Sequence, residues 1–387
     1  MSNMIALPRI MHVGAGALSQ VTDVLKQLGC KNPLIITDAM MVQLGYVERL
    51  ESQLQAADVA KAEVFAETVP EPTEASLLPA VDMVKEKGFD CLIALGGGSP
   101  IDSAKAIAIL ASHGGVMADY KVPRVVDELG LPLIAIPTTG GTGSEATKAT
   151  VITDQDRGEK MLCMGLGFVP YAAIVDYELT LSLPPRTTAD TAIDALTHAI
   201  EAYVSKKANL FTDAQALQAM GLIAPNLRIV YNDGQDAKAR EKVMLGATLA
   251  GVAFSNASVA LVHGMSRPIG AFFHVPHGLS NAMLLPAVTR FSLEAAPDRY
   301  ANCARAMGLA DANVSDEHAC QRLQDELIAL NRDLKVPSPS EFGIEREAFF
   351  SVRHTMAEQA LASGSPANNP RVPTLEEMVS LYEQLWT

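Results

Sequence analysis

The sequence predicts two domains of different class, an α/β domain over residues 1–182 and an all-helical domain over residues 183–387. Three observations carry this expectation. A chain of 387 residues exceeds what one core of usual size accommodates. The first half alternates short apolar runs with helical periodicity, and the second half is helical in period throughout. Between them, Pro184-Pro185 closes the strand-rich pattern.

Taken in order, residues 5–13, interrupted by Pro8, read as an edge strand, since proline cannot donate to a ladder. Gly14 and Gly16 then turn the chain into a helix over residues 17–28. Residues 33–38 form an apolar run ending in an acid, the pattern of a parallel strand buried on both faces. A helix over 46–57, an extended 62–65, a turn at Pro70-Glu71-Pro72 and a helix over 75–87 follow. Runs 91–95 and 131–136 repeat the buried-strand pattern, which implies an open sheet with ligands beyond the carboxyl ends of its strands. Beyond the boundary, helices are expected over 188–204, 212–230, 237–255, 293–307, 317–334 and 374–385.

Composition narrows the function. Hydrophobic residues make up 49% and charged residues 19%, which is ordinary for a globular protein, and the net charge of -14 disfavours nucleic acid or an anionic membrane as partner. The five cysteines, Cys30, Cys91, Cys163, Cys303 and Cys320, have no C-x-x-C spacing and read as reduced, mostly buried thiols. The first residues lack the charge and apolar run of a signal peptide, and no apolar run reaches membrane-spanning length, so a cytoplasmic protein is expected.

Two constellations carry chemistry. Asp194 and His198 stand four apart in an alanine-rich helical run, hence on one face, and His263 and His277 follow, each with a glycine after it. One carboxylate and three imidazoles suit Fe(II) or Zn(II), although a histidine in an apolar stretch can equally be a hydrogen-bonded core residue. The second constellation is a pair of loops. Gly96-Gly97-Gly98-Ser99-Pro100 leads from a strand into a helix whose first N–H groups can hold a pyrophosphate, with spacing unlike GxGxxG. The run Pro137-Thr138-Thr139-Gly-Gly-Thr142-Gly-Ser144-Glu145 offers hydroxyls to ribose and phosphate, or simply to solvent. Asp38, ending an earlier strand, can accept from a ribose 2′-hydroxyl and repel a 2′-phosphate, favouring NAD over NADP; a strand-end cap is the plainer reading.

The Asp-x-x-x-His helix, HGM, PHG, GGGSPIDSAK and PTTGGTGSE together resemble the iron-containing (group III) alcohol dehydrogenases, and the chain is similar to lactaldehyde/1,2-propanediol reductases over essentially its whole length. The resemblance implies a dehydroquinate-synthase-like two-domain fold, with the helical domain facing the nucleotide domain across a cleft. It implies NAD contacts from Gly96, Gly97, Gly98, Ser99, Asp102, Thr138, Thr139, Thr142, Ser144 and Thr147, from Lys160 near the ribose or nicotinamide, and from Leu179 in the interdomain segment. It also implies Asp194, His198, His263 and His277 as metal ligands, Asn369 and Arg371 near the substrate cleft, and a homodimer or larger homo-oligomer. Lys160 read alone is a solvated lysine, the Asn369–Arg371 stretch a plain connector, and Phe254 either a pocket wall or a core aromatic.

These parts imply a metal that polarises an alcohol or carbonyl oxygen while hydride passes between the carbinol carbon and NAD. One position departs from the family. Arg267 stands where many members have a histidine, and a guanidinium cannot act as a general base. Either His274 takes over the proton relay or protons leave through water and the cofactor ribose; Arg267 itself suits a carboxylate or sulfonate on the substrate, or pairs with a surface acid. Arg267 equally fits a hydroxyacid-oxoacid transhydrogenase or a keto-acid reductase. A dehydroquinate-synthase-like lyase would need more basic residues than this segment holds, and a noncatalytic metal protein leaves the two loops without a ligand.

Overall fold

The computed structural model describes residues 2–55, 62–155, 157 and 159–386. These fall into two compact units, Met4–Ser182 and a second beginning at Leu183.

The first unit runs β1 (Ile10–Val13), α1 (Val21–Leu28), β2 (Pro33–Ile36), α2 (Ala39–Gln43), α3 (Tyr46–Gln55), β3 (Glu63–Phe65), α4 (Glu74–Lys87), β4 (Cys91–Gly96), α5 (Gly98–His113), β5 (Leu133–Pro137), β6 (Ala149–Asp154), β7 (Glu159–Met164) and β8 (Ala172–Val175). Six strands make one sheet in the order β1-β8-β5-β4-β2-β3, with every pairing parallel. The pleat divides their side chains. Leu34, Ile36, Leu92, Ala94, Leu133 and Ala135 enter one core, and Ile35, Ile93, Leu95, Ile134 and Ile136 enter the other. Both faces are buried, which is why these strands read as unbroken apolar runs. After β3 the chain returns across β2 to place β4, so a crevice opens at the carboxyl ends of β2 and β4.

Several elements differ from the sequence reading. The first strand is only Ile10–Val13, although it does lie at the sheet edge. The helix expected over 17–28 begins as a 3-10 turn, Ala17–Gln20. The expected end of α3 at Ala57 lies outside the described residues. The short helix α2 was not anticipated, nor was β8, whose two alanines give little strand signal yet which pairs with both β1 and β5. The antiparallel hairpin β6–β7 was likewise missed.

The second unit comprises α6 (Pro185–Val204), α7 (Leu210–Asn232), α8 (Ala237–Asn256), α9 (Leu261–Phe273), α10 (His277–Ser292), α11 (Pro297–Ala306), α12 (Asp316–Asp333), α13 (Arg346–Ala362) and α14 (Leu375–Gln384). Pro185 opens α6 at a position where its missing N–H costs nothing. Asn209, Asp236, Ser315 and Thr374 cap α7, α8, α12 and α14 with side-chain oxygens. Helices α9 and α10 were not anticipated because Gly264, Pro268, Gly278 and Pro286 interrupt their pattern; burial on several sides overrides that local preference. Helix α13 was missed too. Among the described residues no single helix is long and apolar enough to cross a membrane. All five cysteines are buried and free of disulfides.

A buried lysine fastens the first unit internally. Lys105 on α5 donates to Thr147 Oγ1 (2.8 Å), the Thr147 carbonyl (3.1 Å) and the Ala149 carbonyl (2.8 Å). Burial pulls its pKa down to about 8, against the opposing pull of Asp102 and Glu145. Replacing Lys105 with Met leaves these buried acceptors unsatisfied, so Lys105→Met is expected to cost about 2–4 kcal/mol in urea unfolding. A cost under about 0.5 kcal/mol, the size of an ordinary surface substitution, would show that the lysine fastens nothing.

Candidate metal centre and nucleotide loops

Three helices of the second unit supply the cluster. Asp194 and His198 lie one turn apart on α6, His263 sits in the first turn of α9, and His277 opens α10. One donor atom from each lies within 4.8 Å of the others. From Asp194 Oδ1, the imidazole nitrogens stand at 3.9 Å (His198), 3.3 Å (His263) and 3.8 Å (His277). A tetrahedral ion with ligands at about 2.1 Å needs edges of about 3.4 Å. The donor set and its spacing therefore fit a first-row divalent ion.

The surroundings reinforce this. Burial pushes the Asp194 carboxyl up, but the positive ends of His198, His277 and His263 more than reverse it and hold it well below the usual range. Burial likewise pulls His263 down, yet Glu201 and Asp194 raise it to about 9. His198 is stacked between Phe254, at 4.1 Å, and His263, at 4.3 Å. Phe254 thus covers one face of that imidazole.

Two residues escaped the sequence reading. Asn281, fully buried one turn after His277, directs Nδ2 at Asp194 Oδ1 (2.6 Å), His263 Nε2 (3.1 Å) and His277 Nε2 (3.3 Å). Toward Asp194 the amide is a donor, the polarity that a cation would present to that carboxylate. Its i,i+4 relation to His277, the spacing already noted for Asp194 and His198, was the available signal. The other is Glu201, 2% exposed, whose Oε2 receives His263 Nδ1–H at 2.6 Å.

Other candidates are placed differently. Arg267, one turn after His263 on α9, donates to Ser365 Oγ at 3.0 Å. Burial lowers its pKa, against the pull of Glu201. His274 is exposed at the C-cap of α9 with φ 54, outside the four-residue cluster. Asn369 is 1% exposed, and its Nδ2 is committed to Ser292 Oγ and the Arg371 carbonyl. Arg371 pairs with Glu377 at 2.6 Å and lies over the Phe291 ring. Both tie the C-terminal segment to the end of α10 and the start of α14.

In the first unit the two loops pack on each other. Gly96 has φ 149, and a Cβ there would meet Pro100 Cγ at 2.6 Å; one on Gly98 would meet Thr142 Cγ2 at 2.9 Å. Gly97 is the N-cap of α5, and Gly97, Gly98, Ser99, Thr139 and Thr142 keep partial exposure. The remaining polar candidates serve the loops themselves. Asp102 accepts from Ser144 Oγ (2.6 Å) and Val151 N–H (3.0 Å), Thr138 Oγ1 faces Met41 Sδ, and Thr147 Oγ1 donates to the Ser144 carbonyl. Lys160 pairs with Glu71 at 2.5 Å. Leu179 has no exposed surface and its side chain belongs to the core. Asp38 caps α2 through Met41 N–H at 3.0 Å, at the end of β2 beside the crevice. A second cluster, Cys30, Asp90 and Cys91, fits a cation poorly: Asp90 already accepts from the N–H groups of Lys31 and Asn32, and burial pushes both thiols up.

A helical unit with a carboxylate and three imidazoles, together with a parallel sheet ending in glycine-rich loops, defines a metal-dependent, nucleotide-using class. Comparison with known proteins identifies it. The family described as iron-containing alcohol dehydrogenase matches residues 8–177, and its C-terminal domain matches residues 188–386. The chain is 37% identical to the lactaldehyde reductase of Escherichia coli (strain K12) over 100% of both chains. It is 36% identical to the NAD-dependent methanol dehydrogenase of Bacillus methanolicus, covering 97% of this chain and 98% of that one. A crystal structure of 1,3-propanediol oxidoreductase superposes with a TM-score of 0.95 at 33% identity, covering 100% of each chain. Sulfoacetaldehyde reductase from Bifidobacterium kashiwanohense, in complex with NAD+, gives 0.90 at 28% identity, covering 100% of this chain and 99% of that one. The chain belongs to the iron-containing alcohol dehydrogenase family and is an alcohol/aldehyde oxidoreductase.

Gly278 sets how closely α10 approaches α6, because a Cβ there would overlap the Asp190 carbonyl oxygen. Gly278→Ala is therefore expected to displace the start of α10 and with it His277. Overpacking of this kind costs about 1–3 kcal/mol, read as a lower thermal midpoint together with reduced metal retention on dialysis. Unchanged metal retention would show that the ligand geometry does not depend on this contact.

Proposed function

We infer that this oxidoreductase is NAD-linked and holds Fe(II) or Zn(II) on Asp194, His198, His263 and His277. The observation that carries the reading is the four-residue donor set inside the second unit, whose donor atoms all lie within 4.8 Å of one another. When bound there, such an ion would supply Lewis acidity to an alcohol or carbonyl oxygen, and a nicotinamide would supply the hydride chemistry. The chain's own residues do the positioning. Asp194 provides the negative charge that favours a dication, and Phe254 keeps water from one face of His198. Backbone N–H groups at Gly98 and Ser99, opening α5, suit the pyrophosphate, and Thr139 and Thr142 offer hydroxyls. Asp38, beside the crevice, suits a ribose 2′-hydroxyl and disfavours NADP. His274, exposed at the C-cap of α9, would pass the proton lost by the alcohol to solvent.

The substrate in this reading is a short aldehyde or alcohol bearing a carboxylate or sulfonate. Arg267 follows His263 by one turn and is partly buried, with one hydrogen bond to Ser365 and no carboxylate within ion-pair distance among the described residues. A substrate anion would supply the missing countercharge in a planar, two-oxygen pairing. The likeness to a sulfoacetaldehyde reductase supports a fold able to accept such a group.

NADH formation by Fe(II)-loaded and Zn(II)-loaded protein tests this with matched alcohols: ethanol and 1,2-propanediol against 3-hydroxypropionate, 4-hydroxybutyrate and 2-hydroxyethanesulfonate. The anionic set is expected to give the higher kcat/KM. Arg267→His should lower it for that set by tenfold or more, a loss of about 1.5–3 kcal/mol for a hydrogen bond to a charged group, while sparing the neutral set. If neutral alcohols are preferred by both proteins, Arg267 is structural; if neither set reduces NAD, the cofactor assignment fails.

A further inference from the structure

Glu201 lies on α6, seven residues after Asp194 and three after His198, and so shares their face of the helix. Its side chain reaches the start of α9 and is almost wholly enclosed there. Oε2 accepts the Ala260 N–H at 2.8 Å and His263 Nδ1–H at 2.6 Å, and Oε1 accepts the Val262 N–H at 2.5 Å. Backbone N–H groups can only donate, and they meet both oxygens at the positive end of a helix, an arrangement suited to an accepting carboxylate. The ring nitrogen facing the same oxygen must then carry a hydrogen. Nε2 is then the nitrogen whose lone pair a bound ion would take, and that atom is the one 3.3 Å from Asp194 Oδ1.

We propose that Glu201 is a positioning residue for the metal. It fixes the Nδ1–H form of His263, aims Nε2 at the ion and strengthens that nitrogen as a donor, while tying the choice to the seating of α9. The inference rests on the four-ligand reading. Outer partners of this kind typically change metal affinity by about 10- to 100-fold when removed. Because α9 also carries Arg267, the same carboxylate fixes the level of both side chains relative to Asp194.

The test is chelator competition for Zn(II) and Co(II) by wild type, Glu201→Gln and Asp194→Ala, with Co(II) absorption spectra and thermal unfolding of each metal-free protein. Glu201→Gln keeps the side chain's shape but replaces one acceptor by a donor, so it is expected to bind about 10- to 100-fold more weakly and to shift the Co(II) spectrum. Wild-type affinity and spectrum in Glu201→Gln would overturn the proposal. Wild-type affinity in Asp194→Ala would instead overturn the four-ligand reading. Should Glu201→Gln fail to fold, histidine 15N shifts in the Zn(II)-loaded wild type decide: a proton on Nδ1 of His263 with Nε2 metal-shifted is expected, and the reverse pattern contradicts it.

Discussion

Asp194 is a carboxylate with almost no exposed surface in the middle of a helical core, and the second unit is arranged around that charge. An unpaired carboxylate in such a place costs several kcal/mol in desolvation. Three imidazoles and the Asn281 amide are brought within reach to offset it. That requirement dictates close helix packing. Helix α6 presents Ala189, Ala192, Ala195, Ala199 and Ala202 to its neighbours, all fully buried, so that α7, α8 and α10 approach without bulky residues between them. Gly278 gives α10 the last increment of approach, and Glu201 holds the first turn of α9 from the same helix that carries Asp194.

The first unit solves a different problem, that of keeping irregular loops rigid at the ends of parallel strands. Asp102 holds Ser144 and Val151, Lys105 holds Thr147 and Ala149, and the threonines of one loop fill the space that the glycines of the other leave open. Hydroxyl-rich loops of this kind are partly self-satisfying. What remains presented is small: the amides opening α5, Ser99, Thr139 and Thr142, with Asp38 across the crevice. Pre-ordering of that sort lowers the conformational cost of taking up a ligand.

Much of this was legible in the sequence because the relevant signals are local. Apolar runs such as Leu92 to Leu95 mark strands buried on two faces, and the Asp194 to His198 spacing marks one helix face. What escaped depends on tertiary context. Helices α9 and α10 contain glycine and proline in their interiors, so propensity argued against them, and only burial explains them. Glu201 and Asn281 look ordinary until the helices are packed. For Leu179, Asn369 and Arg371 the motif gave no sign that their side chains contact the core, Ser292 and Glu377. Motif membership identifies a segment; which way each side chain turns is decided by its neighbours.

The central claim is that a single divalent ion sits among Asp194, His198, His263 and His277. Crystals of protein isolated with its native metal, measured on both sides of the iron and zinc absorption edges, test it directly. The account predicts one dominant anomalous peak in bonding contact with these four side chains, strong above one of the two edges. An empty position there in protein that retains activity, or a dominant peak at Cys30, Asp90 and Cys91, would contradict it.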